Sequence, residues 1–313
     1  MKLLRFIPDH TNFGFMRFRR VSFPFSALAS IVAVVAFLMF GMNVGIDFKG
    51  GTVVEMQAKA DKFDAHSIRE TVHKLNLGEV EVQEFGTGRD VLLRVGLQPG
   101  GDKAQNEVVV KLRSVFEDKF EFRRVEVVGP RVSEELVQNG IIGVLLALLA
   151  ILIYLWFRYE WEFAVGATIA TMHDLVLTVG FFAITQIQFD QTSIASILTI
   201  IGYSVNDTVV VYDRIRELLR KYKKIPISEI LDLSMNTTLS RTVITSMTTI
   251  IALIALAIFG GEVIRGFCLS MLFGVVIGTY SSIFIAAPIL IYLGVRVGEG
   301  TASSAAKAET AST

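Results

Sequence analysis

The sequence predicts an α-helical polytopic membrane protein with six transmembrane helices plus one ferredoxin-like α/β periplasmic domain, and three observations predict it. Of 313 residues, 52% are hydrophobic and only 19% charged, with a mean hydropathy of +0.54, too apolar for ordinary soluble domains. The 60 charged residues are unevenly spread, 31 of them between Val44 and Glu135. Outside that block, six runs with little or no charge reach the roughly 20 residues a helix needs to cross a bilayer.

The formal net charge is zero, 30 basic against 30 acidic, so no basic excess points to nucleic acid. The same composition excludes a disordered chain. The single cysteine, Cys268, lies in an apolar run, which leaves neither an intramolecular disulfide framework nor a Cys-based metal cluster; it reads as a small packing residue.

In chain order, residues 1–20 are a basic N-terminus and 21–43 the first span. The run from Val21 to Ile46 follows arginines, as a signal peptide would, but it is too long for an h-region and has no A-x-A cleavage pattern. It is expected to be an uncleaved anchor. Residues 44–135 form the charged block, in which period-two and period-3.6 stretches alternate as βαββαβ. Thr52 to Gln57 is a short strand, and Asp64 caps a helix with Ile68, Val72 and Leu75 on one face. Val80 to Phe85 and Val91 to Val95 are strands joined across Gly86-Thr87-Gly88. A second helix carries Val108, Leu112 and Val115, and Phe120 to Val128 is the last strand. This is the ferredoxin-like split βαβ order. The block carries no nucleophile, metal spacing or phosphate loop, and Gly50, Gly51, Gly100 and Gly101 serve turns or hinges. A binding or mechanical role outweighs catalysis there.

Residues 136–297 hold spans two to six: Leu136 to Phe157, Phe163 to Phe189, Gln191 to Tyr212, Thr242 to Gly261 and Gly266 to Val295, the last long enough to tilt or kink near Pro288. A basic cytoplasmic link lies near 214–240; its Ile215, Leu218, Leu219, Ile227, Ile230 and Leu231 suggest a short amphipathic helix on the interface. Residues 298–313 are Ala, Ser, Thr and Glu-rich and are expected to be a disordered tail. Lys and Arg set the orientation. The N-terminus carries Lys2, Arg5, Arg17, Arg19 and Arg20, the turn after span two Arg158, and the link six more, whereas the opposite turns hold only Arg265. Both termini are therefore expected in the cytoplasm and 44–135 outside, in the periplasm.

An ionisable group at bilayer depth costs about 2.5–3.5 kcal/mol even on insertion scales, so the two buried-run carboxylates are the functional candidates. Asp174 lies midway along span three and Asp207 in the inner half of span four. On the face of Asp207 fall Ser196, Thr199 and Tyr203, with Ser204 and Asn206 flanking, a polar stripe that water or a proton could follow. On span five, Arg241, Thr245 and Thr248 share a face, and Arg241 is the expected charge partner of Asp207. Asp213 with Arg214 lies at the water boundary, and His173 can titrate but need not share Asp174's site. In span six, Gly266, Ser270, Gly274, Gly278 and Ser282 recur every four residues, a ridge along which helices pack closely.

Several motifs carry a family resemblance: Gly45-Ile46-Asp47-Phe48-Lys49-Gly50-Gly51; Phe157-Arg158-Tyr159-Glu160-Trp161; His173-Asp174; Gly202-Tyr203-Ser204-Val205-Asn206-Asp207-Thr208 continuing to Asp213-Arg214; Leu239-Ser240-Arg241-Thr242; and Gly278-Thr279-Tyr280-Ser281-Ser282. On these the chain resembles the SecD and SecF protein-export family of the resistance-nodulation-division superfamily, its single outer domain and lone six-helix set favouring the SecF branch. The resemblance implies six helices pairing with six from SecD, and assistance to preprotein export through SecYEG after SecA-driven insertion, with YajC a further candidate partner. It implies use of the proton-motive force, protons as coupling ion, no other cofactor and no catalytic residue or metal. It places the family's membrane acid on Asp207 and its basic partner on Arg241, with Asp213 in the same motif. Two rival classes are weaker: an efflux pump is usually longer and internally duplicated, and an intramembrane aspartyl protease would set its acids in Tyr-Asp and Gly-x-Gly-Asp contexts.

Overall fold

The structure is a computed structural model that describes residues 11–60, 63–85 and 89–295. The hairpin turn expected at Gly86-Thr87-Gly88, the basic Lys2 and Arg5, and the expected tail at 298–313 lie outside the described residues. The elements are α1 (Arg19–Phe40), α2 (Ile46–Lys49), β1 (Gly51–Ala58), α3 (Ala65–Lys74), β2 (Val80–Phe85), β3 (Asp90–Val95), α4 (Gly101–Phe116), β4 (Phe120–Val128), α5 (Pro130–Arg158), α6 (Trp161–Thr185), α7 (Gln191–Lys221), α8 (Ile227–Phe259), α9 (Glu262–Ser281) and α10 (Ala287–Tyr292). A π-helical turn, Ser282–Ala286, joins α9 to α10. Two compact units result. One comprises residues 42–146 and 187–194; the other comprises 1–41, 147–186 and the chain from 195 onward.

The first unit contains a four-stranded antiparallel sheet in the order β2-β3-β1-β4, the arrangement of a ferredoxin-like fold. Alternation puts Val54, Met56 and Ala58 of β1 on one face, opposite Leu93 and Val91 of β3 in register. That face meets Ile68 and Val72 of α3 and Val108, Leu112 and Phe116 of α4 in one apolar core. Asp64 caps α3 as expected, accepting the His66 N–H at 2.9 Å. β1 is entered through Gly50 and begins at Gly51, with φ of +74° and +137°. A side chain at Gly51 would lie 2.6 Å from the Val95 carbonyl, so close strand pairing there requires glycine.

The second unit is built mainly of long apolar helices, while residues 130–146 of α5 and 191–194 of α7 fall in the first. Among the described residues, six candidate spans are long and apolar enough to cross a membrane: Phe15–Phe40, Pro130–Arg158, Trp161–Thr185, Gln191–Lys221, Ile227–Phe259 and Ile264–Tyr292. α5 starts at Pro130, six residues before the charge-free run, because proline is suited to the first turn of a helix. The separate interfacial helix expected within 214–240 is corrected: α7 continues to Lys221 and α8 starts at Ile227. Ile215, Leu218, Ile230 and Leu231 are buried in the helix packing, so their amphipathic pattern marks the inner ends of two long helices. α1 packs on α6, where Gly180 makes room for Ala33.

Candidate functional site: carboxylates between the spans

Close packing of α7 and α9 creates the site. The ridge expected on the last span faces α7 in matching steps. Ser270 donates to Ser196 at 2.9 Å, Gly274 leaves room for Ile200, and a side chain at Gly278 would lie 3.2 Å from Ser204 Cβ. Gly266, at the start of that ridge, is half-buried. Two small residues facing each other bring backbones near enough for hydroxyls to reach across.

Asp174 of α6 is 1% exposed and enclosed by three groups. Ser204 of α7 donates to its Oδ2 at 2.5 Å and Ser281 of α9 to the same oxygen at 2.6 Å. His173 Nδ1 lies 2.9 Å from Oδ1, so the neighbour that helical spacing left free of the site does join it. The His173 Nε2 is buried without a hydrogen-bond partner, while its ring lies against Tyr280.

Asp207 of α7 is also buried but less enclosed. Ser282 donates to its Oδ2 at 2.5 Å. Thr242 of α8 approaches it with a buried hydroxyl that closes no hydrogen bond. Arg241 is exposed, within electrostatic reach of Asp207 but not ion-paired with it. The expected charge partner is thus near, separated from the carboxylate rather than locked to it.

The residues of the expected polar stripe divide by exposure. Ser196 and Tyr203 face inward, Tyr203 donating to Ser246 at 3.2 Å. Thr199, Asn206 and Thr245 are exposed in the single chain. Thr199 and Thr245 donate back to their own helices, to Ala195 O at 2.7 Å and Arg241 O at 2.9 Å, which satisfies each hydroxyl without a partner from another helix. Asp213, about 9 Å of helix rise beyond Asp207, belongs to a separate boundary cluster. Both its oxygens accept from Arg158, at 2.9 and 3.0 Å, and Tyr159 donates to Oδ1 at 3.0 Å. Burial, and then that contact with Asp213, push the Tyr159 phenol well above its ordinary value, so it remains a donor.

Sequence spacing marks Ser282 as a packing position and gives Ser281 no role. Their signal was the pair of adjacent serines upstream of Pro288, with Ser282 in phase with the small-residue ridge.

These features define a class: a polytopic protein whose carboxylates are buried between apolar spans, with a small ferredoxin-like unit in the same chain. A family profile described as "Protein export membrane protein SecD/SecF, C-terminal" matches residues 107–296, and one described as "SecD/SecF GG Motif" matches 35–62. The protein translocase subunit SecF of Rickettsia rickettsii is 46% identical over 92% of this chain and 94% of its own length. The SecDF subunit of Brucella abortus is 45% identical over 98% of this chain, which spans only 41% of that longer relative. The crystal structure of SecDF from Thermus thermophilus, described as a translocon-associated membrane protein, superposes with a TM-score of 0.81 at 32% identity, covering 92% of this chain and 39% of that one. The chain belongs to the SecD/SecF family of protein-export membrane proteins.

Proposed function

We propose that this chain is the SecF-type subunit of a Sec protein-export machinery, pairing with SecD to use the proton-motive force for preprotein translocation after insertion by SecA and SecYEG. The reading places it in the bacterial inner membrane with both termini cytoplasmic and residues 44–135 periplasmic. The SecYEG channel, the translocating preprotein and YajC are its proposed partners; protons are the coupling ion, and no other cofactor or enzymatic step is involved. The pairing with SecD is supported by the single-chain SecDF relatives, in which this chain corresponds to about two-fifths of the length.

One observation carries the proton step: Asp207 is buried among spans and held by one hydroxyl, with Arg241 near but unpaired. An ionised carboxylate so placed is costly and protonation relieves that cost, which suits the group to taking up and releasing a proton. Movement of Arg241 or entry of water would alter how firmly the site holds a proton. One elementary charge crossing 100 mV supplies about 2.3 kcal/mol, so a few protons suffice to drive a domain movement. Asp174 is the second carboxylate of this path, and Asp213 anchors its inner boundary. The test is pulse-chase processing of a Sec-dependent preprotein in cells carrying only wild-type or Asp207→Asn protein, at equal membrane abundance and equal SecD association. Slowed processing that no longer responds to the proton-motive force is expected. Wild-type processing, or drug sensitivity with normal processing as an efflux pump would give, overturns the reading.

A further inference from the structure

The two buried carboxylates lie on different helices, yet both are held by consecutive residues of one helix. Ser281 ends α9 and Ser282 opens the π turn; neighbours on a helix point about 100° apart, so the pair diverges, one to α6 and one to α7. Their hydroxyls lie 2.6 Å from Asp174 Oδ2 and 2.5 Å from Asp207 Oδ2. Each also lies near a carbonyl one turn back, Ser281 at 3.1 Å from Gly278 O and Ser282 at 3.0 Å from Thr279 O.

A serine has one proton to donate. An ionised carboxylate only accepts, so the serine proton points to it. A protonated carboxyl donates its own O–H to the serine oxygen, and the serine proton turns to the carbonyl behind. Protonation thus reverses the hydrogen bond without moving a heavy atom. The carbonyl that would receive the Ser281 proton, Gly278 O, already accepts the backbone N–H of Ser282. A change at Asp174 therefore reaches the residue that holds Asp207 through a single shared oxygen.

The helix beyond is built to respond. Pro288 has no N–H for Phe284 O, and that carbonyl accepts from Ser22 of α1 at 3.2 Å. Ala286 O accepts from Tyr212 of α7 at 2.8 Å. Hydroxyls of two other helices thus bond carbonyls of the wide turn, and such turns recur at functional sites.

We infer that Ser281 and Ser282 are paired positioning residues that link the protonation of Asp174 to that of Asp207 and transmit both to the π turn of the last span. The inference rests on the proposed reading of Asp207 as a proton-carrying group. The titratable and charged groups facing the pair of carboxylates are His173 on α6, Tyr280 on α9 and Arg241 on α8; α1 brings the hydroxyls of Ser22 and Ser26, the latter 2.9 Å from Tyr280.

The experiment is infrared titration of the carboxyl C=O bands in the full chain, reconstituted with its SecD-type partner and assigned with Asp174→Asn and Asp207→Asn. Ser281→Ala touches only Asp174, yet it is expected to move the Asp207 midpoint at least threefold in proton concentration; Ser282→Ala is expected to do the converse. Ser270→Ala is the control, since it removes an equally buried hydroxyl bond on α9 without touching either acid, and neither band should move. Shifts confined to the carboxylate each serine touches, equal shifts in Ser270→Ala, or bands that do not titrate overturn the linkage. Crossed shifts with wild-type preprotein processing in Asp207→Asn would instead uphold the serine linkage and overturn the proposed function.

Discussion

Both compact units bury apolar side chains, Phe163, Tyr212 and Leu231 among them in the helical unit, but they differ in the polar groups enclosed with that core and in the apolar groups left outside it. In the sheet unit Val54, Met56, Val91, Leu93 and Leu112 are fully enclosed. Its buried polar groups include Thr52 and Gln105, bonded to each other at 2.7 Å. In the helical unit the interior holds Asp174, Asp207, Ser196, Ser204, Ser234, Ser270, Ser281 and Ser282, while Phe25, Leu28, Ile31, Leu149, Ile153 and Phe259 lie exposed. The difference reflects the surrounding medium. Water drives apolar side chains inward, whereas lipid is as apolar as leucine and leaves close contact and hydroxyl bonds to hold helices together.

The strongest way to break this comparison is to truncate a leucine in each unit. Leu93→Ala is expected to destabilise the sheet unit by about 2–5 kcal/mol, because the vacated volume is closed on all sides. Leu149→Ala on the exposed face of α5 removes the same atoms from a surface that lipid refills, and a near-neutral effect is expected. Hydrogen exchange at β3 amides for the first, and thermal unfolding of the intact chain in bilayers for the second, measure both. Equal losses would show that the exposed face of α5 is covered by a packed partner surface rather than by lipid.

A smaller effect sharpens the same contrast from the packing side. Gly274→Val places carbon where Ile200 stands, and overpacking of this kind costs about 1–3 kcal/mol. Gly143→Ala on α5 meets nothing within 4 Å and is expected to be tolerated. Because the α7–α9 seam also aligns the serines with the two acids, Gly274→Val should reduce export beyond its effect on membrane abundance. Quantitative immunoblotting alongside preprotein processing separates the two; a defect accounted for by abundance alone would reduce the seam to simple packing.

The fold was legible because both media write their demands into periodicity. Charge-free runs mark the spans, and the strand and helix periods of the charged block suffice for the order seen in the sheet. The site was legible only as far as one helix can reveal it. Spacing put Ser196, Thr199 and Tyr203 on the side of Asp207, but a face of α7 meets both α9 and the exterior. Thr199 fell on the outer part. The bonds that define the site join residues 75 and 107 positions apart, Ser282 to Asp207 and Ser281 to Asp174. No local pattern encodes that register. The boundary helix was misread for a related reason: the amphipathic pattern of 214–240 is the same whether its apolar side rests on lipid or on neighbouring helices.

The smallest expected effect concerns Tyr212, whose hydroxyl reaches Ala286 O past Gly166, where a side chain would lie 2.5 Å from the Tyr212 hydroxyl oxygen. Interhelical hydrogen bonds in membranes average about 0.6 kcal/mol and reach about 1.7. Tyr212→Phe should therefore change unfolding only slightly, for the ring keeps its edge contact with Phe163 at 5.1 Å. Its consequence for the π turn should be larger than its energy. With the hydroxyl gone, Ala286 O loses a donor in a medium without water, and the turn gains reason to tighten toward regular α-helix. That tightening would rotate Ser282 relative to Asp207, since Ser282 is the first residue of the turn. Preprotein processing is then expected to slow in Tyr212→Phe despite near-wild-type stability. Gly166→Ala, which crowds the same hydroxyl without removing it, should produce a defect in the same direction. A loss of activity no greater than the loss of folded protein in both variants would mean that the hydroxyl bond only holds α7 to the last span.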